Sequence, residues 1–481
     1  MSRNERLTAL MTDAGFLDRS RTIGRKRIAR AVNETQAART AGRSYNHTYV
    51  SRWFNGVTPR DEATRDAIRD ALSARLGRTV APDELGFRST AGVSPDIGLR
   101  YPTGPEDGVT TTAQLLDADL SGFIQLTSAG ANFAAWNDAS LSWLVGSRQS
   151  LDRPDDTRRI GSSDVDRLRA VRRTFDHLDG TFGGAHARAA LVQYLRTDLP
   201  RLLRADARSA VRDSLWSAAG ELTQLAAWMS YDAGLHGLAQ RYFIQALGLA
   251  DAGRDGLLAA SILDAMSHQA NFLGRYREAA NMARAAQLGT GSRADPVLTA
   301  HFHLMEARAL ARTGDATACD RAMDATIEHF GRRSLGEGPE WISYFDESEL
   351  AAELGHCHRD LDRPVHAIEQ ASRALDSASG DYARSRFFVT MVLADAHLDH
   401  GDVEEGCRIA EEAIVDGESV DSVRCDSYVT EFRERLTPHA TSGPARELAE
   451  RVRASRIWSP AGAVTVSTRP SHAGSHRSGA P

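Results

Sequence analysis

The sequence predicts an all-α protein in which a small helical bundle precedes a long array of antiparallel helix pairs. Two observations predict this class. Apolar residues recur at helical spacing in alanine-rich segments over more than three hundred residues, with no sustained alternation of β-branched residues. Glycines at 234, 274 and 314 stand forty residues apart, each between two helix-like stretches. Such a repeat is typical of stacked helix pairs that bury a continuous core.

Composition narrows the class of protein. A chain of 481 residues with 42% hydrophobic and 25% charged residues is ordinary for a soluble protein of two or three domains. The N-terminus lacks the apolar stretch of a signal peptide, and no apolar run approaches the roughly 18 residues that span a bilayer. The four cysteines form no CxxC pair, so we expect reduced thiols in packed helices. The expected location is the cytoplasm.

Charge is unevenly distributed along the chain. Residues 1–90 contain 17 Lys+Arg and 10 Asp+Glu, a balance of +7, whereas the remainder carries −13. A basic N-terminal segment attracts the phosphates of DNA, and an acidic body is repelled by them. The alternative interpretation is an ordinary solvated surface.

Residues 1–88 are predicted to form a bundle of four or five short helices. Apolar stripes at helical spacing define its expected core: Leu7, Leu10 and Met11; Ile28 and Val32; Val50 and Trp53; Ile68, Leu72 and Leu76; Leu85 and Phe87. This order resembles the lambda-repressor-like, XRE-type DNA-binding domain, in which a scaffold helix precedes the helix that reads DNA. The intervening stretch NETQAARTAGRS is longer than the tight turn of that family.

The segment from Ser44 to Arg60 is predicted to hold the reading helix. Ser44 is expected to cap it, and Asn55-Gly56 to end it in a left-handed turn. Its polar face favours contact with base edges and phosphates, although an amphipathic helix of an ordinary bundle is the alternative. The candidate DNA-binding residues are Asn46, His47, Thr48, Tyr49 and Arg52 on this helix, Arg25, Lys26 and Arg27 on the preceding one, and Arg60 at the exit.

Three further segments follow the predicted helix-turn-helix domain 1–88. Residues 89–112, rich in Gly, Pro, Ser and Thr, read as a linker, and residues 458–481 as a low-complexity, disordered tail. Between them, residues 113–457 are expected to form a tetratricopeptide-like α-solenoid with small residues at fixed offsets from each turn. Its turns are predicted at Gly234, Gly274, Gly314, Asp362 and Gly401, with an earlier pair over 165–203. The insertion 331–345 is expected to project from one edge.

No motif for catalysis, cofactor binding or metal binding stands out. Walker, GxGxxG, GxSxG and HExxH patterns are absent, so the sequence predicts neither an enzyme nor a cofactor. His356 and His358 point about 200° apart on a helix, as do His301 and His303, which disfavours a shared ion. Aromatic residues at helical spacing are expected in the core: Trp216, Trp228, Tyr231 and Tyr242.

Four segments carry a resemblance that spans about residues 5–435. They are VSRWFNGVTPR with ALSARLGR after it, FGGAHARAALVQYL from Phe182, LAAWMSYDAGLHGLAQRYFIQAL from Leu225 and FDESELAAELGHCHRDL from Phe345. Together they resemble Streptomyces-type (actinobacterial) regulators with an XRE-like helix-turn-helix and a tetratricopeptide-like body, similar to negative regulators of differentiation and antibiotic production. The resemblance implies control of transcription in development or secondary metabolism, without enzymatic activity.

The first functional hypothesis is therefore a DNA-binding transcriptional regulator that works in the cytoplasm at the nucleoid. Its expected partners are double-stranded DNA, a second copy of the chain in a homodimer, and a peptide, protein or small-molecule signal in the repeat groove. The alternative is a tetratricopeptide-type protein-interaction scaffold that does not bind DNA. The two hypotheses differ in whether the protein has salt-dependent affinity for duplex DNA.

Overall fold

The predicted all-α class is confirmed. The computed structural model describes residues 4–16, 23–57, 59, 62–87, 94–146, 156–293, 295–334, 338–377 and 383–458. Within these ranges the only strands that form a sheet are β1 (Asp156–Ile160) and β2 (Ala205–Ala207), which pair in parallel. The helices are, in chain order, α1 (Glu5–Asp13), α2 (Arg25–Asn33), α3 (Gln36–Thr40), α4 (His47–Phe54), α5 (Glu62–Leu76), α6 (Pro105–Leu120), α7 (Ile124–Thr127), α8 (Phe133–Val145), α9 (Ser162–Phe182), α10 (Gly184–Arg204), α11 (Ser209–Asp232), α12 (His236–Ala252), α13 (Gly256–Phe272), α14 (Tyr276–Thr290), α15 (Pro296–Thr313), α16 (Ala316–Gly331), α17 (Glu347–Asp360), α18 (Pro364–Ser377), α19 (Ala383–His400), α20 (Val403–Gly417), α21 (Val423–Leu436) and α22 (Gly443–Arg451). None of the helices in the described ranges is long and apolar enough to cross a membrane.

The chain divides into two compact units, which are described separately. The first comprises Met1–Ile97 and Ala113–Ala129, and the second Gly98–Thr112 and Gly130–Pro481. Residues 113–129 thus group with the first unit, whereas the sequence assigned them to the array.

The second half of the predicted linker 89–112 is structured, so that prediction is wrong from residue 94 onward. Helix α6 begins at Pro105. Before it, the Gln245 side chain of α12 donates hydrogen bonds to the carbonyls of Gly98 and Arg100, both at 3.1 Å. The Tyr101 hydroxyl donates to Asp251 at 2.9 Å. Gly98 and Pro102 therefore belong to a structured segment that packs on α12. Residues 88–93 lie outside the described part.

The N-terminal bundle has the core that the sequence predicts. Its apolar stripes are buried, with Leu76 only partly so. Asn4 joins the beginning of the bundle to its end, because its side-chain oxygen caps α1 at Leu7 N (3.0 Å) and its amide group donates to Leu85 O (3.0 Å). A Cβ at the adjacent Gly86, whose φ is +65°, would lie 2.4 Å from Asn4 Oδ1, so this approach requires glycine.

The second unit contains six consecutive helix pairs, from α9–α10 to α19–α20. The five turns predicted from the sequence are confirmed, as is the earlier pair. Each turn residue has positive φ, the left-handed conformation that ends a helix. They are Gly183 (88°), Gly234 (75°), Gly274 (73°), Gly314 (75°), Asp362 (54°) and Gly401 (93°).

Small side chains let the paired helices approach closely. The residues at the predicted offsets are all buried: Ala227, Ser267, Ala307, Ala371 and Ala394 among them, with Ala246, Ala283, Ala286, Ala374, Ala410 and Ala413. The Ser267 hydroxyl donates to Ala279 O on the partner helix at 2.8 Å, so even the polar member of the set is satisfied.

Residues 341–345 of the insertion fold inward, which contradicts the prediction that the insertion projects from one edge. Ile342 and Phe345 are buried. The Phe345 ring packs 5.2 Å from that of Phe330 and 4.7 Å from His301, and the Tyr344 hydroxyl lies 3.3 Å from His301 Nε2. Burial of the apolar residues of this segment is the physical reason for its position.

The C-terminal boundary also differs from the prediction by one residue. Trp458, the first residue of the predicted tail 458–481, is buried in a cluster with α19 to α22, and its carbonyl accepts from Arg433 at 3.0 Å. The rest of the predicted tail, residues 459–481, lies outside the described residues.

The first helix pair of the second unit contacts the last ones, and the array therefore closes on itself. The Asp421 amide, after α20, donates to Phe182 O at 3.0 Å. Arg384 at the start of α19 forms ion pairs with Asp179 of α9 (2.9 Å) and with Asp232 of α11 (3.3 Å). A Cβ at Gly183 would lie 2.4 Å from Asp421 O, so the junction requires glycine there.

Asp232 is the centre of this closing contact. Its carboxylate accepts from Gly184 N (2.9 Å) and Ser422 Oγ (2.7 Å), and Arg424 lies 3.8 Å away in addition to Arg384. Burial alone would raise the pKa of Asp232, but the two arginines lower it below its ordinary value. The carboxylate is therefore charged and joins three separate segments of the chain.

We predict that Asp232→Ala destabilises the protein strongly, because it leaves the buried Arg424 and the largely buried Arg384 without this partner. The expected loss in free energy of unfolding is about 3–5 kcal/mol. Urea unfolding followed by circular dichroism measures it. Asp324→Ala on the exposed surface of α16 is the control, expected to stay within about 0.5 kcal/mol of the unmodified protein. Equal effects of the two substitutions would contradict the role of Asp232.

Candidate functional site

Helix α4 presents a polar face to solvent in the N-terminal unit. Val50, Trp53 and Phe54 are buried, and they mark the face that packs into the bundle. Thr48 and Arg52, one turn apart, lie at the middle of the opposite face. Both are exposed, and Arg52 forms no ion pair within the described residues.

The other predicted DNA-contacting residues of α4 lie on either side of Thr48 and Arg52. His47 and Tyr49 are exposed, on either side of Thr48. The Tyr49 ring is 45% exposed and packs edge-on against Tyr45, with ring centroids 5.9 Å apart. The structure therefore places four of the five predicted residues of the segment on one accessible surface.

Asn46 is the fifth, and it caps the helix. Its Oδ1 accepts from Thr48 N at 2.9 Å and from Tyr49 N at 3.4 Å. The predicted cap at Ser44 is wrong, since α4 begins at His47. A bidentate contact with adenine needs Oδ1 as an acceptor, so the cap competes with the base contact that the sequence suggested for Asn46.

Tyr45 anchors the entry to α4, a role that is not among the predictions from the sequence. Its backbone N and O both bond to the Asn33 side chain of α2, at 2.7 and 2.9 Å. Its hydroxyl lies 2.7 Å from Thr64 Oγ1 on α5, and its ring packs against Trp53. An apolar residue just before a helix cap is the signal for such an anchor, but the cap assigned to Ser44 concealed it.

The end of α4 agrees with the prediction. Gly56 has a φ of +81°, and the amides of Gly56 and Val57 donate to Trp53 O (3.1 Å) and Arg52 O (3.0 Å). This is the left-handed termination expected of Asn55-Gly56. The helix that carries Arg52 is thus fixed at both ends.

A second basic group lies on the helix that packs against α4. Arg25, Lys26 and Arg27 form the exposed first turn of α2, where helix geometry also favours anions. The long stretch between α2 and α4 contains the short helix α3, capped by Thr35. Arg60 lies outside the described residues.

The second unit contains a cavity of about 450 Å³ on its inner surface. The walls come from α9, α11, α13, α15, α17, α18, α19 and α21, together with the inward-folded segment 341–346. The predicted core aromatics Trp216, Tyr231 and Tyr242 are buried, whereas Trp228 lines this cavity. A volume of this size is within the range of small-molecule sites.

Carboxylates outnumber arginines in the cavity wall. Among the lining residues, seven carry carboxylates (Asp176, Asp179, Glu221, Asp264, Asp346, Glu349 and Glu353) and four are arginines (Arg172, Arg384, Arg386 and Arg424). Arg384 pairs with Asp179, and Arg172 lies 3.9 Å from Glu221. The lining carboxylates that pair with no lining arginine are Asp264 on α13, Asp346 just before α17, and Glu349 and Glu353 on α17.

His301 lies at the acidic end of the cavity. Its Nδ1 is 2.7 Å from Asp264 Oδ2. Burial alone would lower the pKa of His301, but the attraction of Asp264, Glu353 and Glu349 raises it. Glu353 also pairs with Arg308. Burial and the adjacent Glu353 raise the pKa of Glu349 to about 7.

The histidines at i and i+2 have different surroundings. His356 bonds through Nε2 to the Tyr428 hydroxyl at 2.8 Å, whereas His358 stacks on His366 with centroids 5.1 Å apart. His301 faces Asp264, and His303 stacks on His329 at 5.6 Å. Across the described part of the chain, no three His, Cys, Asp or Glu side chains are grouped so as to hold a metal ion.

We predict that Asn46→Ala lowers the free energy of unfolding by about 1 kcal/mol, through loss of the cap. Asn46→Asp keeps the oxygen acceptor and should retain the stability. The Ser44→Ala variant is the control, because Ser44 is exposed and outside the helix. Urea titrations of the full-length variants compare them; a cost at Ser44 equal to that at Asn46 would refute the cap assignment.

Comparison with protein-family models gives a match to the N-terminal bundle. Residues 7–88 match the family model of the SP15 N-terminal domain, a segment that includes α2 to α5 and most of α1. No curated protein matches the chain. The similarity thus covers the helical bundle that carries α4, and well under half of the chain.

Proposed function

We propose that this protein is a DNA-binding transcriptional regulator whose helix α4 reads duplex DNA. The observation that carries the proposal is that Thr48 and Arg52 are exposed side by side on a helix that is fixed at both ends. A rigid helix with short polar and guanidinium side chains on its free face suits the major groove, where arginine donates two hydrogen bonds to guanine.

The basic first turn of α2 supports the same proposal. Arg25 and Lys26 form no ion pair within the described residues, and they are exposed on a helix that packs against α4. Their charges would neutralise phosphates and position the reading helix, without distinguishing sequences. His47 and Tyr49 would contact the backbone or bases on either side of Thr48.

In this proposal the second unit receives a signal and mediates assembly. We infer that the protein works as a homodimer, whose two α4 helices would lie about 34 Å apart to reach successive major grooves on one DNA face. The resemblance to actinobacterial regulators supports the proposal that the regulated genes act in development or secondary metabolism. A site of action at the nucleoid, in the cytoplasm, follows from the same proposal.

Selection from random duplexes tests sequence-specific binding by the full-length protein. We expect one preferred sequence to be enriched. Arg52→Ala should weaken its binding by about 10-fold or more, since one good arginine–guanine pair contributes about 1–3 kcal/mol of discrimination. Fluorescence anisotropy measures the affinity, with Arg277→Ala, an exposed arginine on α14, as the control.

Lys26→Ala has a different expected effect. It should weaken binding to all duplexes alike and reduce the slope of log affinity against log salt by about 1, as expected for a phosphate contact. A protein that enriches no sequence and has no salt-dependent affinity for duplex DNA would instead be the interaction scaffold, and the proposal would fail.

A further inference from the structure

The acidic end of the cavity has more carboxylates than its cations balance. Asp264 faces His301, and Glu353 pairs with Arg308. Glu349 forms no side-chain hydrogen bond or ion pair within the described residues. It is one helical turn from Glu353 on α17, so the two carboxylates lie on the same face and repel each other.

A second observation is that Asp264, next to this cluster, lacks a hydrogen-bond donor in the described part of the chain for one of its carboxylate oxygens. Asp264 is 4% exposed, and its Oδ1 has no hydrogen-bond partner among the described residues. Only its other oxygen faces His301. A buried carboxylate oxygen without a donor is unfavourable by about 1–3 kcal/mol, and here it belongs to a residue that lines the cavity.

Aromatic rings also line this cavity. Trp228, Trp341 and Tyr344 line the cavity together with Glu349 and Asp264. Tyr344 is 47% exposed, so its ring is accessible although its hydroxyl lies next to His301. Aromatic faces attract organic cations and also bury apolar groups, and they discriminate against free carboxylates.

We propose that this cavity binds a small organic cation, with its ammonium or guanidinium group against Glu349 and Asp264 Oδ1 and its apolar part on Trp228 and Tyr344. The cation supplies the donors that Asp264 lacks and neutralises the repulsion between Glu349 and Glu353. The volume of about 450 Å³ favours a compact molecule over an extended peptide. Only the ligand's role as a regulatory signal rests on the proposed DNA-binding function.

Matched cations and anions test the proposal on the full-length protein without DNA. Isothermal titration calorimetry and thermal unfolding at pH 8 compare tryptamine, phenethylamine and agmatine with indole-3-acetate and phenylacetate. We expect at least one cation to bind and to raise the melting temperature, and neither anion to do so. No binding by any of the three cations, or binding of an anion as tight as that of its matching amine, would overturn the proposal.

Two substitutions locate the site. Glu349→Gln should weaken binding of the cation by about 10-fold or more, because a charge-assisted hydrogen bond is lost. This variant should stay folded, since it removes a repulsion. Tyr344→Ala should weaken the aromatic amines more than agmatine. Glu369→Gln, exposed on α18, is the control and should bind as the unmodified protein does.

Unchanged binding in Glu349→Gln would show that the cation binds elsewhere and would contradict the assignment. Because no DNA is present, a failure here leaves the DNA-binding measurements unaffected, and the reverse also holds.

Discussion

The form of the second unit depends on the buried carboxylate of Asp232. This group receives donors from the start of α10, from α19 and from the segment that leads into α21. Removing so many polar groups from water is costly unless each finds a partner. The carboxylate and its arginines satisfy one another only when all these segments meet. Because the buried carboxylate of Asp232 needs these partners, it brings together residues that are nearly two hundred positions apart in sequence.

Closure of the array determines what kind of site the unit contains. In an open solenoid the inner helices line an extended groove, which suits long partners. Here α9 contacts α19, and the inner helices instead surround a cavity of limited volume. The segment 341–346 reduces it further by folding inward. The same closure brings titratable groups of seven helices into one space, where their mutual interactions set unusual pKa values such as that of Glu349.

The sequence predicted features that depend on local chemistry. Left-handed turns at Gly234 or Gly401, burial of Ala227 and termination at Gly56 follow from the conformation and size of single residues, so a pattern reveals them. The cap was misplaced because Ser44 and Asn46 are both good caps, and only the buried Tyr45 distinguishes them. The Asp232 contact and the inward fold of the insertion depend on partners distant in sequence, about which periodicity carries no information. The sequence predicts most of the exposed polar residues of α4, but it does not predict that the carboxylate of Glu349 is unpaired within the described residues.

Amide hydrogen exchange is the most direct test of whether the helix array closes through Asp232. The Gly184 amide bonds to Asp232, and the Asp421 amide bonds to Phe182 O. Both lie at a helix start or in a connection, where amides ordinarily exchange fast. If the array is closed, both amides should be protected to the level of the interiors of α11 and α19. Exchange of these two amides at the rates of unstructured peptides, with α11 and α19 still protected, would show that the array is open and would contradict the account.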